Sequence, residues 1–259
     1  MAVAEQLNFS QRLVRKGALV EETYQVLQHW DHEQSVRENI DLIRESNPVG
    51  APNEAWLREV TATISSRFSH GDDLRPLGAL AKGYYPPERW QYCLLWHLGS
   101  TDGLFLNFAI EFLVPQMHEG VSVITTEEVM PFVSAQHAEG NIETELSDYG
   151  LRRTARDLLR MAAAFGLVEG QPRRHFSHVV VPEDAILYAT YSLMDQVPSA
   201  ERMIRSERWR LFLMGPEDVE RELMNLHQFH RLRYEAAGSV RELSLPFSTL
   251  NEFTQSLIS

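Results

Sequence analysis

The run from Trp90 to Val114 is the most hydrophobic part of the chain, and it narrows the choice of fold sharply. It is broken by His97, by Gly99-Ser100-Thr101-Asp102-Gly103 and by Glu111, so neither half is long enough to cross a bilayer. Two apolar pieces of helical length that need burial on most sides predict two core helices at the centre of the first half. Pro87 is placed to start the first, Glu88–Leu98, and Pro115 to end the second, Leu104–Val114.

Helical patterning recurs on both sides of this pair. Phe9, Leu13, Gly17, Val20, Tyr24 and Leu27 share one face of a segment reaching Trp30, where Gly17 either breaks the helix or lets a neighbour approach. Ser35 and Glu38 have capping-box spacing for a helix with Val36, Ile40 and Ile43, which ends before Asn47-Pro48. Asn53 caps a helix whose core face is Trp56, Val60, Ile64 and Arg67-Phe68. His70-Gly71-Asp72-Asp73 reads as a turn and Leu74–Lys82 as a short helix. Thr125 and Glu128 form a second capping box, for a helix reaching His137, and Asn141–Tyr149 reads as helix or turn. Glu183–Met194 and Glu217–Gln228 read as helices, and Glu201–Leu213 as helical or mixed. Arg231–Glu235 and Val240–Leu245 form a hairpin around Ala237-Gly238-Ser239, and Phe247–Ile258 a closing helix. Arg221, Leu223 and Phe229 echo Arg156, Leu158 and Phe165 too loosely to make a repeat.

Residues Leu151 to Pro182 say most about function. Leu151, Ala155, Leu158, Ala162 and Phe165 recur at helical spacing, and Gly166 follows as a stop signal. Arg152, Arg156 and Arg160 form a stripe on another face, with Arg153 beside it. Leu167-Val168 and Phe176–Val181 read as strands, joined by a polar link that carries Arg173, Arg174 and His175. An arginine-faced helix running into a basic-tipped hairpin is how a winged helix-turn-helix meets DNA, with the helix in the major groove and the wing on backbone. The chain carries a formal −12, yet Leu151–Val181 carries +4: six arginines against Asp157 and Glu169. A basic island on an acidic protein predicts a localised phosphate contact. The expected class is therefore mainly α: a helical bundle over 1–120, a winged-helix-like unit over 121–195, and a helix–hairpin extension over 196–259 packed on the rest.

Other chemistry finds little support. Cys93, the single cysteine, excludes an internal disulfide and fits a reducing cytoplasm; it reads as a buried small hydrophobe. Met1–Phe9 lacks the apolar core of a signal peptide. GxxxxGK[ST], GxGxxG and GxSxG patterns do not occur. His175-x-x-His178 and His227-x-x-His230 lack a third ligand, so no metal or other cofactor is expected. Acidic residues sit where helices need caps and wet faces, and Lys16 and Lys82 are the only lysines, so no nuclease-like cluster forms. Trp56, Trp90, Trp96 and Phe105 have the spacing of core residues rather than of a stacking platform. An enzyme is not expected.

Four stretches resemble the BrxA family of BREX bacteriophage-defence systems. They are Lys16–Thr23 followed by Trp30; Arg58-Glu59 with Ser66-Arg67-Phe68; Arg89-Trp90 through Phe108–Leu113, with its Phe-x-x-Glu pattern; and Thr154 through Leu159-Arg160-Met161 to Phe165-Gly166-Leu167, ending in a short β unit and Pro182. The resemblance covers roughly residues 9–195 and extends over Trp209–Leu245. It implies a non-catalytic, cytoplasmic, mostly helical protein with a NusB-like helical part joined to a winged-helix portion. It also implies binding of double-stranded DNA in the service of a complex containing a methyltransferase, a phosphatase-like protein and an ATPase. At the matched helix it carries over Arg152, Arg153, Arg156 and Arg160. Two alternatives stand beside DNA binding: an adaptor that contacts only protein, and a regulator of its own operon.

Overall fold

The computed structural model describes residues 9, 14–68, 74–142, 146–197, 199–238 and 240–259. The first half contains α1 (Val20–Gln28), α2 (Val36–Ser46), α3 (Glu54–Phe68), α4 (Arg75–Lys82), α5 (Pro87–Thr101) and α6 (Gly103–Asn107). A π-helical stretch, Phe108–Leu113, leads from α6 into α7 (Val114–His118). Next come α8 (Thr126–Ala138), α9 (Asp148–Ala164), β1 (Val168–Glu169), β2 (His175–Phe176) and α10 (Glu183–Met194). The chain closes with α11 (Ala200–Ile204), a 3-10 turn (Glu207–Phe212), α12 (Pro216–Gln228), β3 (Arg233–Ala237), β4 (Val240–Ser244) and α13 (Leu250–Ser256). The protein is mainly helical, with two small antiparallel hairpins among the described residues.

Helix α5 is the axis of the packing. Trp90 is buried, meets Tyr24 of α1 edge-on at 5.0 Å, and donates Nε1 to the Leu77 carbonyl of α4 at 3.0 Å. One and a half turns on, Trp96 donates to Ser192 of α10 and packs on Trp209 and Phe212 of the 3-10 turn. The helix runs through Gly99, where the sequence suggested a break. A Cβ at Gly99 would lie 2.0 Å from Leu211 Cδ1, so the glycine serves close approach rather than a turn. The break falls at Asp102 instead, whose side chain caps α6 by accepting the Phe105 N–H. Trp90, Trp96 and Phe105 are core residues; Trp56 is half-buried.

Aromatic rings carry the core across to the second half. Phe165, at the end of α9, lies 6.1 Å from Phe105; Phe105 lies 6.3 Å from Phe108, and Phe108 lies 5.5 Å from Phe132 of α8. The apolar cluster is continuous from Val14 to Phe253. Asp184, at the start of α10, draws together Tyr85 (2.8 Å), Arg89 (3.0 Å) and Arg231 (2.8 Å). Ile258 closes over Gly83, where a Cβ would lie 2.5 Å from it.

Several boundaries differ from the sequence reading, each for a local reason. The first helix is interrupted: Gly17 has φ +75° and Leu19 φ +49°, so α1 starts at Val20. Residues 10–13 of that segment and the turn at 70–73 lie outside the described residues, as do the Phe68 side chain and Ser239. Helix passes Pro115 because the wider π turn precedes it: Val114 N–H bonds to Ala109, five residues back. The expected strand Phe176–Val181 is paired only at His175–Phe176, since β1 offers it two residues. Ser35 and Thr125 form their capping boxes, and Asn53 caps α3 at the Trp56 N–H. Phe229 stays exposed where its looser counterpart Phe165 is buried.

His97 and Asp102 place two buried titrating groups near the C-terminal end of α5. Burial pushes the Asp102 carboxyl up to about 6, although the Phe105 N–H and Arg67 pull it down. Burial, helped by Arg208, pushes His97 down to about 4. Folded Asp102 keeps its proton above the unfolded value of about 3.9, so its contribution falls as pH rises from about 4 to 6. Folded His97 sheds its proton below the unfolded value of about 6.5, so its contribution falls as pH drops from about 6.5 to 4. The two slopes oppose each other. Asp102→Asn removes one of them, so its unfolding free energy will fall more steeply than wild type between pH 6.5 and 4.5. Denaturant titrations over that range check this, and parallel slopes would contradict it.

Candidate nucleic-acid interface

Helix α9 starts three residues before Leu151, capped by the Ser147 hydroxyl, which accepts the Gly150 N–H. Ala155, Leu158, Ala162 and Phe165 are buried as the spacing required, and Leu151 is half-buried. Gly166, at φ +70°, ends the helix: its N–H bonds to Ala163 and the Leu167 N–H to Ala162, both at 3.0 Å. Helix α9 packs more extensively on α8 than any other two described elements pack on each other.

The hairpin after α9 is small but tied in on both sides. β1 and β2 pair antiparallel, Val168 with Phe176 and Glu169 with His175. Immediately before β2, Arg174 pairs antiparallel with Ile124, the residue just ahead of the Thr125 cap. The β segments thus anchor the loop Gly170–Arg174 between the start of α8 and the end of α9.

The arginines of α9 are not equivalent. Arg152 forms an ion pair with Glu127 in the first turn of α8. Arg160 reaches Asp157 at 3.2 Å and donates to the Arg15 carbonyl at 2.5 Å, so it holds the chain ahead of Gly17. Arg153 stands 3.9 Å from the same Asp157. Arg156 is exposed and makes no ion pair or hydrogen bond with another described residue. Asp157 itself is buried among Arg160, Arg156, Arg153 and Arg15, and desolvation holds its carboxyl above its ordinary value despite those four cations.

The hairpin residues also divide. Arg173 is exposed and has no described partner. Arg174 is buried; its Nη1 donates to the Gly170 carbonyl at 3.1 Å, and burial pulls its guanidinium below the usual range. His175 is exposed, with Nδ1 2.8 Å from the Ser122 carbonyl. Arg156, Arg160 and Arg174 line one cleft of about 520 Å³, together with Thr126, Leu159, Gln171 and Pro172. Side chains of the helix and of the hairpin are therefore brought together at Arg156, Arg160 and Arg174, whereas Arg152, Arg153, Arg173 and His175 lie outside that cleft.

Sequence reasoning missed Glu127 and the role of Asp157. The Arg153-x-x-x-Asp157 and Asp157-x-x-Arg160 spacings were visible as helical ion pairs. Arg152–Glu127 spans two helices, and no local pattern signals it. Elsewhere, His227 Nδ1 accepts the Tyr234 N–H at 3.2 Å, and Cys93 is buried, which pushes its thiol up. Among the described residues, no group of three or more metal-ligating side chains occurs, and no helix is long and apolar enough to cross a membrane.

A family model described as BrxA matches residues 7–190. No curated protein and no solved structure matches the chain.

Two glycines test how the hairpin is built. A Cβ at Gly166 meets nothing within 4 Å, so Gly166→Ala bears only the left-handed backbone, about 1 kcal/mol. At Gly170, φ +91°, a Cβ would lie 2.6 Å from the Arg173 carbonyl oxygen. Gly170→Ala will therefore destabilise the protein more than Gly166→Ala in urea titrations; the reverse order would contradict this loop geometry.

Proposed function

This chain belongs to the BrxA family, which is associated with BREX phage defence, and on that premise we propose that it is a non-catalytic component that binds double-stranded DNA. The observation that carries the reading is the pair of exposed, uncommitted cations, Arg156 on α9 and Arg173 on the following loop. Both sit beside residues whose donors are already engaged within the fold. An exposed guanidinium with no internal hydrogen bond or ion pair can exchange water for phosphate at little reorganisation cost.

The order of elements supports a winged-helix docking mode. Ile124, α8, α9, β1 and β2 follow one another, with Ile124 pairing on the far side of β2 from β1. In such a mode α9 enters the major groove and the loop Gly170–Arg174 lies along backbone. The helix offers arginines but no Asn or Gln toward solvent between Arg152 and Arg160, so the reading favours phosphate and shape over base identity. Other BREX components, a methyltransferase, a phosphatase-like protein and an ATPase, are the protein partners this role implies.

A second reading, an adaptor without DNA contact, draws on Met224, Phe229 and Val240, apolar side chains exposed on α12, at its C-terminal end and on β4. Duplex binding separates the two. Wild type is expected to bind duplex with an affinity that falls steeply with salt. Arg156→Glu with Arg173→Glu should remove most of it and flatten the salt slope by about two phosphate contacts. Salt-insensitive or absent duplex binding by folded wild type would favour the adaptor.

Glu127 supplies a test of opposite sign. It competes with phosphate for Arg152, and its own backbone N–H, followed by Arg152, holds its carboxylate below the ordinary range. Glu127→Gln is expected to tighten duplex binding severalfold at low salt, measured by anisotropy. Weaker binding would contradict a phosphate-facing role for Arg152.

A further inference from the structure

The cleft between α8, α9 and the hairpin loop has features that a flat phosphate contact does not need. Arginines enter it from two elements: Arg156 and Arg160 from α9, and the buried Arg174 from the hairpin. Arg174 commits Nη1 to Gly170, which fixes the plane of its guanidinium at the cleft wall. Thr126 brings the first turn of α8, where the helix dipole favours an anion. Both carboxylates of that turn are engaged elsewhere: Glu127 with Arg152, and Glu128 with the N–H and hydroxyl of Thr125.

Charge and shape then select the ligand. Three guanidinium groups line the space, and Asp157, which pairs with Arg160, offsets one of them. Two uncompensated positive charges match a terminal phosphate, which carries between −1.5 and −2 near pH 7, roughly twice the charge of an internal phosphodiester. The cleft, about 520 Å³, falls within the range of small-molecule sites, roughly 300–1,000 Å³. Exposed Pro172 adds apolar wall beside the buried Leu159, and the Gln171 amide adds a donor and an acceptor. We propose that this cleft is a subsite for a nucleotide carrying a terminal phosphate, with the phosphate on Arg156, Arg160 and Arg174 and the base against Pro172. The ligand is either a free mononucleotide or the 5′-phosphorylated end of a strand. The second source rests on the DNA-binding reading; the first does not.

The test uses the full chain with 5′-dAMP and with deoxyadenosine as probes, titrated calorimetrically at constant ionic strength. Wild type is expected to bind dAMP and not deoxyadenosine. Arg156→Gln, a change at an exposed side chain, should weaken dAMP at least about tenfold, the loss of one charge-assisted contact. Arg37→Gln, a change at an exposed arginine of α2 that does not line the cleft, should leave it unchanged. Equal behaviour of dAMP and deoxyadenosine, or full dAMP binding by Arg156→Gln, would overturn the proposal. Blunt duplexes with 5′-phosphate and 5′-hydroxyl ends then identify the source: tighter binding of the phosphorylated duplex points to the strand end, and equal binding to the free nucleotide. Duplex binding without a dAMP response removes the subsite and leaves the DNA reading standing; a dAMP response without duplex binding does the reverse.

Discussion

The orientation of α9 is the constraint on which the proposed surface depends. Ala155, Leu158, Ala162 and Phe165 fix one face of this helix against the core, and Phe165 joins the ring series through Phe105 and Phe108 to Phe132. Each buried side chain of Leu or Phe size contributes roughly 1.5–3 kcal/mol from burial, so rotating the helix would forfeit several such contributions together. With that face fixed, Arg152, Arg156 and Arg160 have no route inward. The arginine stripe is a consequence of core packing, and packing sets where its charge is presented.

Electrostatics then sorts the arginines. A single buried carboxylate, Asp157, holds Arg160 and stands near Arg153, while Glu127 holds Arg152. These contacts limit how freely the side chains sample solvent and leave Arg156 as the uncommitted cation in the middle of the stripe. Arg160 also reaches the Arg15 carbonyl, while buried Arg67 donates to the carbonyls of Gly17 (2.5 Å) and Ala18 (2.9 Å). The segment Arg15–Ala18 is therefore gripped from both α9 and α3. This connects the first part of the chain to the candidate interface through hydrogen bonds to backbone, which do not depend on side-chain identity at Gly17 or Ala18.

Much of the helical framework was legible in the sequence, because it rests on local rules. Ser35 with Glu38, Thr125 with Glu128, Asn53 and Gly166 announce their ends by side-chain chemistry within a few residues. The stripe of α9 follows from periodicity alone. What was not legible depends on contacts distant in sequence. Gly99 looks like a breaker until Leu211 is seen against it. Pro115 looks like a terminator until the π turn ahead of it is known. Val179 to Val181 look like strand, but a strand needs a partner, and β1 ends at Glu169. At the candidate site the arginines were readable individually, whereas their division into engaged and free, and the cleft that unites Arg156, Arg160 and Arg174 with Thr126, needed the fold.

On the proposed reading, nucleic acid meets α9 and the loop that follows it. Hydrogen–deuterium exchange of the full chain with and without a blunt duplex at low salt tests this most directly. Slowed exchange is expected only in the first turns of α8, the exposed face of α9 and the loop Gly170–Arg174, with β3, β4 and α13 unchanged. Protection at β3–β4 or α12, with α9 and its loop unaltered, would contradict it.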